Sequence, residues 1–206
     1  MKIKLALFLL LLPLMMEVLV SCVDYDSPVR NVEVSHCSLE LDDLENTGAA
    51  AQLNFDDSVA GEAYGIRFRI IRQEYSCRIE SPGLHFISSA QAIYPYQSYD
   101  YRYISQEEIT DIKIESINQF DSDHPAGADV TDLFRALSEQ EFKYFTVDDY
   151  RDRLAIETFG YENRDIDFDI FLMEPSASDG QQQFKVTIEL SDGRTLEAMT
   201  EPIYFV

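Results

Sequence analysis

Alternation of apolar and polar residues with a period of two is the feature that most constrains this chain. Tyr64, Ile66, Phe68 and Ile70 alternate with Gly65, Arg67 and Arg69. Ile112 and Ile114 alternate with Asp111, Lys113 and Glu115. Ile166, Phe168, Ile170 and Leu172 alternate with Asp165, Asp167, Asp169 and Phe171. Phe184, Val186, Ile188 and Leu190 alternate with Lys185, Thr187 and Glu189. Successive side chains of a strand point to opposite faces, so each segment reads as a strand with one buried and one wet face. Residues 32–41 alternate as well, but the phase slips between Val34 and Cys37. A β-bulge there accounts for the slip. About seven to nine short strands with little helix predict an all-β fold, an antiparallel β-sandwich with at most one or two short helices.

The last hairpin can be registered from the residues alone. A two-residue Asp192-Gly193 turn would set Ile188 opposite Glu197 and place a charge on the core face. A three-residue loop, Ser191-Asp192-Gly193, sets Ile188 opposite Leu196 and Val186 opposite Ala198. It also gives Gly193 the left-handed position this loop type needs. Glu201-Pro202 should then end regular pairing before a short closing segment, residues 203–206.

Helix signals are few. Asp129 or Thr131 would cap a short helix through Leu133, Phe134 and Leu137. Ser105-Gln106-Glu107-Glu108 matches a capping box, but no long periodic segment follows it. Residues 42–62 read as an acidic loop with one strand or turn at residues 53–55.

The chain begins with a basic n-region, Lys2 and Lys4, and an apolar run over residues 5–16 broken only by Pro13. That run is shorter than the about 20 residues a transmembrane helix needs, and it reads as a signal-peptide core. Leu19-Val20-Ser21-Cys22 follows. An aliphatic residue, a tolerated residue, a small residue and then Cys resembles the lipobox of bacterial lipoproteins. The resemblance implies that Cys22 carries a diacylglyceryl group and that cleavage falls just before it. Glu17, late in the apolar region, departs mildly from that pattern. The expected organisation is a lipoprotein signal peptide over residues 1–21, an acidic tether over residues 22–30 and one sandwich domain over residues 31–206. Acyl chains contribute about 0.8 kcal/mol per buried CH₂, so such an anchor holds the protein at the membrane. Asp24 and Asp26 just after Cys22 resemble the surface-export tethers of Bacteroidota lipoproteins, and they also suit a plain solvated linker.

With Cys22 lipidated, Cys37 and Cys77 remain. Outside the cytosol they can bridge, closing a loop of about 40 residues and stabilising by roughly 4 kcal/mol. Two separate buried thiols are the alternative. Neither lies in a CxxC motif, so thioredoxin-like chemistry is not indicated.

Charge excludes one class of partner. The formal net charge is −22, from 38 acidic against 16 basic side chains. Such a surface repels phosphate backbones, so no nucleic-acid partner is expected.

Candidate sites each have a plain structural reading beside the chemical one. Asp165, Asp167 and Asp169 share a strand face and could help hold Ca²⁺, a hard cation that takes oxygen ligands. The match to an EF-hand loop fails at Ile170 and Ser176, and the plainer reading is a solvated face that discourages edge aggregation. The stretch Asp121-Ser122-Asp123-His124-Pro125 offers two carboxylates and an imidazole, or a turn closed by Asx-type hydrogen bonds. His36 and His85 lack the HxH or HExxH spacing of zinc sites, and no metal or other cofactor is expected. Tyr94, Tyr96, Tyr99, Tyr101 and Tyr103 crowd one segment. If that segment is extended, Tyr99, Tyr101 and Tyr103 share a face that could stack on sugar rings or contact a protein. They could also simply cover an edge with their hydroxyls wet. No GxSxG elbow, P-loop or GxGxxG occurs, so no catalytic residue is assigned.

A wider resemblance rests on Ala63-Tyr64-Gly65-Ile66-Arg67, Ile112-Lys113-Ile114, His124-Pro125-Ala126-Gly127, Thr131-Asp132-Leu133-Phe134 and the closing hairpin of residues 184–196. Across most of residues 30–203 the chain resembles a family of Bacteroidota lipoproteins of unassigned role. The resemblance implies an immunoglobulin-like sandwich and a lipoprotein of the outer membrane, on its periplasmic or surface face. It carries over no catalytic residue. The expected function is a non-enzymatic binding or interaction module with an envelope-protein partner, or else a glycan-binding surface lipoprotein using Tyr99, Tyr101 and Tyr103.

Overall fold

The computed structural model describes residues 29–48, 50–74, 77, 100–138, 141–157, 165–174 and 180–206, without the side chains of residue 100 and residues 155–157. Residues 1–28, with the expected signal peptide and Cys22, lie outside the described residues, as do His85, Tyr94, Tyr96 and Tyr99.

Thirteen strands and one α-helix are present among the described residues. The larger sheet has seven strands: β1 (Val29–Glu45), β2 (Gln52–Leu53), β4 (Tyr64–Glu74), β5 (Asp100–Ser105), β7 (Phe134–Ser138), β8 (Lys143–Thr146) and β9 (Ile166–Leu172). Its order is β2-β1-β4-β9-β7-β8, with β5 on the first part of β1. A second sheet stacks β12 (Thr195–Met199), β11 (Phe184–Leu190) and β6 (Ile109–Ser116). A small third sheet joins β10 (Gln181–Gln182), β13 (Ile203–Phe205) and β3 (Ser58–Val59). The fold is all-β and sandwich-like, and most pairs are antiparallel. Two pairs, β1 with β5 and β13 with β3, are parallel. Each joins strands far apart in sequence, where no tight hairpin forces the antiparallel sense.

The alternating faces set the core. Ile66, Phe68, Ile70, Ile170, Ile114, Val186 and Ile188 are fully buried or nearly so, and all belong to the core cluster. Phe68 stacks on Phe168 across β4 and β9 with ring centroids 4.8 Å apart. The closing hairpin has the register expected, Ile188 opposite Leu196 and Val186 opposite Ala198. Gly193 takes φ +84° in its loop. The slip in β1 is a bulge: pairing with β4 shifts between His36 and Ser38, leaving Cys37 as the extra residue.

Several expectations are corrected. Strand β1 begins at Val29 and runs to Glu45, so it takes in the end of the expected tether and the start of the expected acidic loop. Thr131 opens only a 3-10 turn, Thr131–Leu133, and Phe134 and Leu137 lie in β7. Asp129 does fold back, accepting hydrogen bonds from the Thr131 N–H at 2.9 Å and its hydroxyl at 2.7 Å. The Ser105 to Glu108 stretch is the end of β5 and a bend. The α-helix lies elsewhere, α1 (Val147–Glu157). Thr146 Oγ1 accepts the Asp149 N–H at 3.0 Å, a side-chain cap, and Asp148 and Asp149 sit in the first turn where the helix dipole favours carboxylates. Its buried residues Val147, Tyr150 and Leu154 lie on one face, and the Tyr150 ring meets Phe168 at 5.3 Å.

Candidate functional site

The Asp165, Asp167 and Asp169 face is occupied by partners from the protein itself. Asp169 takes two hydrogen bonds from Arg67, at 2.7 and 2.8 Å, and Asp167 one from Arg69 at 3.1 Å. Asp165 accepts the Arg72 N–H at 2.9 Å. Two arginines on β4 thus neutralise the carboxylates that alternate along β9. The loop at residues 121–125 folds as a turn around one carboxylate. Asp121 Oδ1 accepts the N–H groups of Asp123 at 2.8 Å and His124 at 2.7 Å, and the His124 ring lies 3.0 Å away. That hydrogen bond holds Asp121 below the usual carboxylate range and raises His124. Among the described residues, no group of three or more His, Cys, Asp or Glu side chains gathers to hold a metal ion.

A polar clasp surrounds the β1 bulge. Cys37 and Cys77 form a disulfide there. Beside it, His36 is 1% exposed, and Arg72 and Glu107 are buried. The His36 N–H donates to Glu107 Oε2 at 3.2 Å. Arg194, from the hairpin of the second sheet, donates to the His36 carbonyl at 2.8 Å, to Glu107 Oε1 at 2.5 Å and to Asp192 at 2.6 Å. Its Nη1 also reaches Cys77 Sγ at 3.4 Å. One guanidinium therefore ties the bulge, the disulfide and the second sheet together. A planar fork with five donors suits that task, where a lysine would reach fewer acceptors.

Ser105, His36 and Glu107 stand in the order of a nucleophile relay. Ser105 Oγ lies 3.3 Å from His36 Nε2, and Glu107 Oε2 lies 3.7 Å from His36 Nδ1. The chemistry of such a relay is weak in this setting. The Nδ1 contact is too long for a hydrogen bond, and that atom is buried without a partner. Burial lowers the His36 pKa to about 4, so the ring is neutral at pH 7 and a poor acceptor for a serine proton. Arg72 Nη1 also donates to Ser105 Oγ at 3.4 Å. Sequence reading missed this cluster because its members lie 71 and 87 residues apart, with no local motif to flag them.

The more open feature is a cleft of about 520 Å³ between β1, β2 and the small third sheet. Leu41, Leu53, Pro202 and Ile203 supply apolar lining, and Phe55 and Tyr204 stand at 89% and 50% exposure. Asp42, Asp43, Asp56, Asp57 and Glu201 supply carboxylates. The Tyr64 hydroxyl donates to Asp43 Oδ1 at 2.5 Å. Burial raises the Asp43 pKa against the opposing effect of that bond, and it pushes the Tyr64 phenol well up. A shallower groove of about 480 Å³ runs beside His124, Asp129, Arg135 and Asp148. Of the tyrosine face, Tyr101 is 40% exposed and Tyr103 is half-buried on the same side of β5.

Fold and site together define an all-β, disulfide-bonded sandwich protein with an acidic, aromatic cleft. Residues 36–201 match the family described as a domain of unknown function, DUF5034, and the chain belongs to that family. No curated protein and no solved structure matches the chain.

Proposed function

We propose that this protein is a lipid-anchored, non-enzymatic binding module of the bacterial envelope, held at the outer membrane through Cys22. The observation that carries this reading is the Cys37–Cys77 disulfide. Disulfides persist outside the reducing cytosol, and that supports the export that the basic n-region, apolar run and Cys22 lipobox imply. Residues 23–28 separate Cys22 from the start of β1 at Val29, a reach of at most about 25 Å, so the anchored sandwich stays near the bilayer. The net charge of −22 makes it stand off an anionic surface. The neutral, enclosed His36 speaks for a structural clasp and against proton transfer. The test is incorporation of labelled fatty acid into the full chain in a lipoprotein-processing host. Label in the parent and none in Cys22→Ala is expected; equal label in both would overturn the anchor.

A second reading, glycan binding, is favoured by the exposure of Tyr101 on the same strand face as Tyr103. It expects retention on immobilised polysaccharides that is lost in the Tyr99→Ala, Tyr101→Ala, Tyr103→Ala variant. No retention across a broad panel removes it.

A further inference from the structure

The cleft combines two surfaces that a free protein gains nothing by exposing together. Phe55 leaves 89% of its surface in water, and Tyr204 leaves 50% beside it. Exposed aromatic area of this kind marks contact sites more often than it serves the fold. Around it stand Asp42, Asp43, Asp56, Asp57 and Glu201, and no Lys or Arg lines the cleft. Among the described residues, Asp42 is the one of these carboxylates paired with a basic side chain within 4.0 Å, that of Arg69.

Charge decides which occupant fits. Anionic ligands meet like charge on every side, in a chain already at −22. A small amine would satisfy carboxylates but leave Phe55 and Leu53 in water. A basic peptide meets both needs. Its aliphatic side chains cover the apolar lining, and its cations meet the carboxylates.

We propose that this cleft docks an extended basic segment of a partner protein, with an aliphatic side chain on Phe55 and Tyr204 and flanking Lys or Arg side chains at Asp56, Asp57 and Glu201. This names the partner chemistry of the binding module proposed above and rests on that reading for its biological setting. The binding itself does not depend on the lipid. Loss of fatty-acid label in a chain that still binds peptide would fail the anchor alone, and the reverse result would fail the cleft alone.

The experiment uses the full chain in detergent micelles, with protein-free micelles as blank and fluorescein-labelled octapeptides as probes. Alternating Lys-Leu, Lys-Ser and Glu-Leu peptides are compared by anisotropy. Lys-Leu binds, Lys-Ser binds about tenfold more weakly, and Glu-Leu does not bind. Phe55→Ala weakens Lys-Leu about tenfold and leaves Lys-Ser unchanged. The Asp56→Asn, Asp57→Asn variant weakens both and flattens the salt dependence. Phe142, equally exposed on another loop, serves as control, and Phe142→Ala binds like the parent. Phe55 and both aspartates are exposed, so these variants keep the parent's thermal midpoint. No binding of Lys-Leu, or equal binding by parent and Phe55→Ala, would overturn the proposal. An equal loss in Phe142→Ala would do so too.

Discussion

Arg67 on β4 lies directly opposite Asp169 on β9, and the two join through a pair of parallel N–H···O bonds, at 2.7 and 2.8 Å. Two residues along, Arg69 faces Asp167 in the same register but makes a single bond at 3.1 Å. The first pair is better shielded, with side-chain exposures of 30% and 13% against 38% and 47%. Two-pronged geometry and lower exposure both strengthen an ion pair. A double-mutant cycle over Arg67→Ala and Asp169→Ala is therefore expected to give a coupling of about 1 kcal/mol, and the Arg69–Asp167 cycle less than about 0.5 kcal/mol. Urea unfolding measures both. Equal couplings would mean that the parallel bonds add nothing beyond charge.

His36 makes stability depend on pH in a defined window. Burial, its largest cause, lowers the folded pKa to about 4 from 6.5. Between these values the unfolded chain binds a proton that the folded chain refuses. Stability from this group is thus complete above about pH 6.5 and falls as pH drops toward 4, by roughly 3 kcal/mol in all. Asp43 acts in the opposite sense, because its raised pKa favours the folded state in acid and that gain is lost as pH rises through the folded value. Comparing His36→Asn with the parent at pH 7 and pH 4.5 separates the two. The variant is less stable at pH 7 and loses much less on acidification. An equal acid loss in both would sink the assignment to His36.

Two glycines carry different constraints. A Cβ on Gly65 would meet the Ile170 carbonyl oxygen and the Phe171 ring, each at 2.7 Å. Backbone cannot yield there, so Gly65→Ala is expected to cost about 2 kcal/mol or more. Gly193 has open space around its Cβ position but sits at φ +84°. Gly193→Ala should cost about 1 kcal/mol, and Gly193→Asn less, since Asn tolerates the left-handed region. Denaturant midpoints with unchanged slopes would measure these costs, and the reverse ranking would contradict the packing seen at Gly65.

How much of this was legible in the sequence depends on the range of each interaction. The long strands were legible because Tyr64 to Ile70 and Phe184 to Leu190 repeat their period often enough to fix both element and face. The hairpin register was legible because only one loop length keeps Ile188 off Glu197. Strands β3 and β10 have two residues each, too few to show any period. Helix α1 was hidden because the buried face among its described side chains is Val147, Tyr150 and Leu154, interleaved with Asp and Arg. Thr146 three residues before Asp149 was the available cue. Of the clasp, the bulge and a possible Cys37–Cys77 bridge were legible, but its polar contacts and the cleft were not, since Arg194 meets Glu107 and Asp43 meets Tyr64 only through tertiary folding.

The Cys37–Cys77 bridge should matter most where the chain folds. It links the β1 bulge to a residue 40 positions on, just past the end of β4. In the chain-entropy account a loop of that size stabilises by about 4 kcal/mol. The Cys37→Ser, Cys77→Ser variant is expected to lose about that much, a fall in thermal midpoint on the order of 10 °C. Arg194 reaches Cys77 Sγ at 3.4 Å and the His36 carbonyl at 2.8 Å, so the second sheet still grips the bulge when the bridge is absent. The variant therefore unfolds at a lower temperature but keeps a single cooperative transition. Arg194→Ala in that background removes this grip as well and costs more there than in the parent. Thermal melts of the four chains measure the coupling; equal costs of Arg194→Ala in both backgrounds would show that guanidinium and disulfide brace the bulge independently.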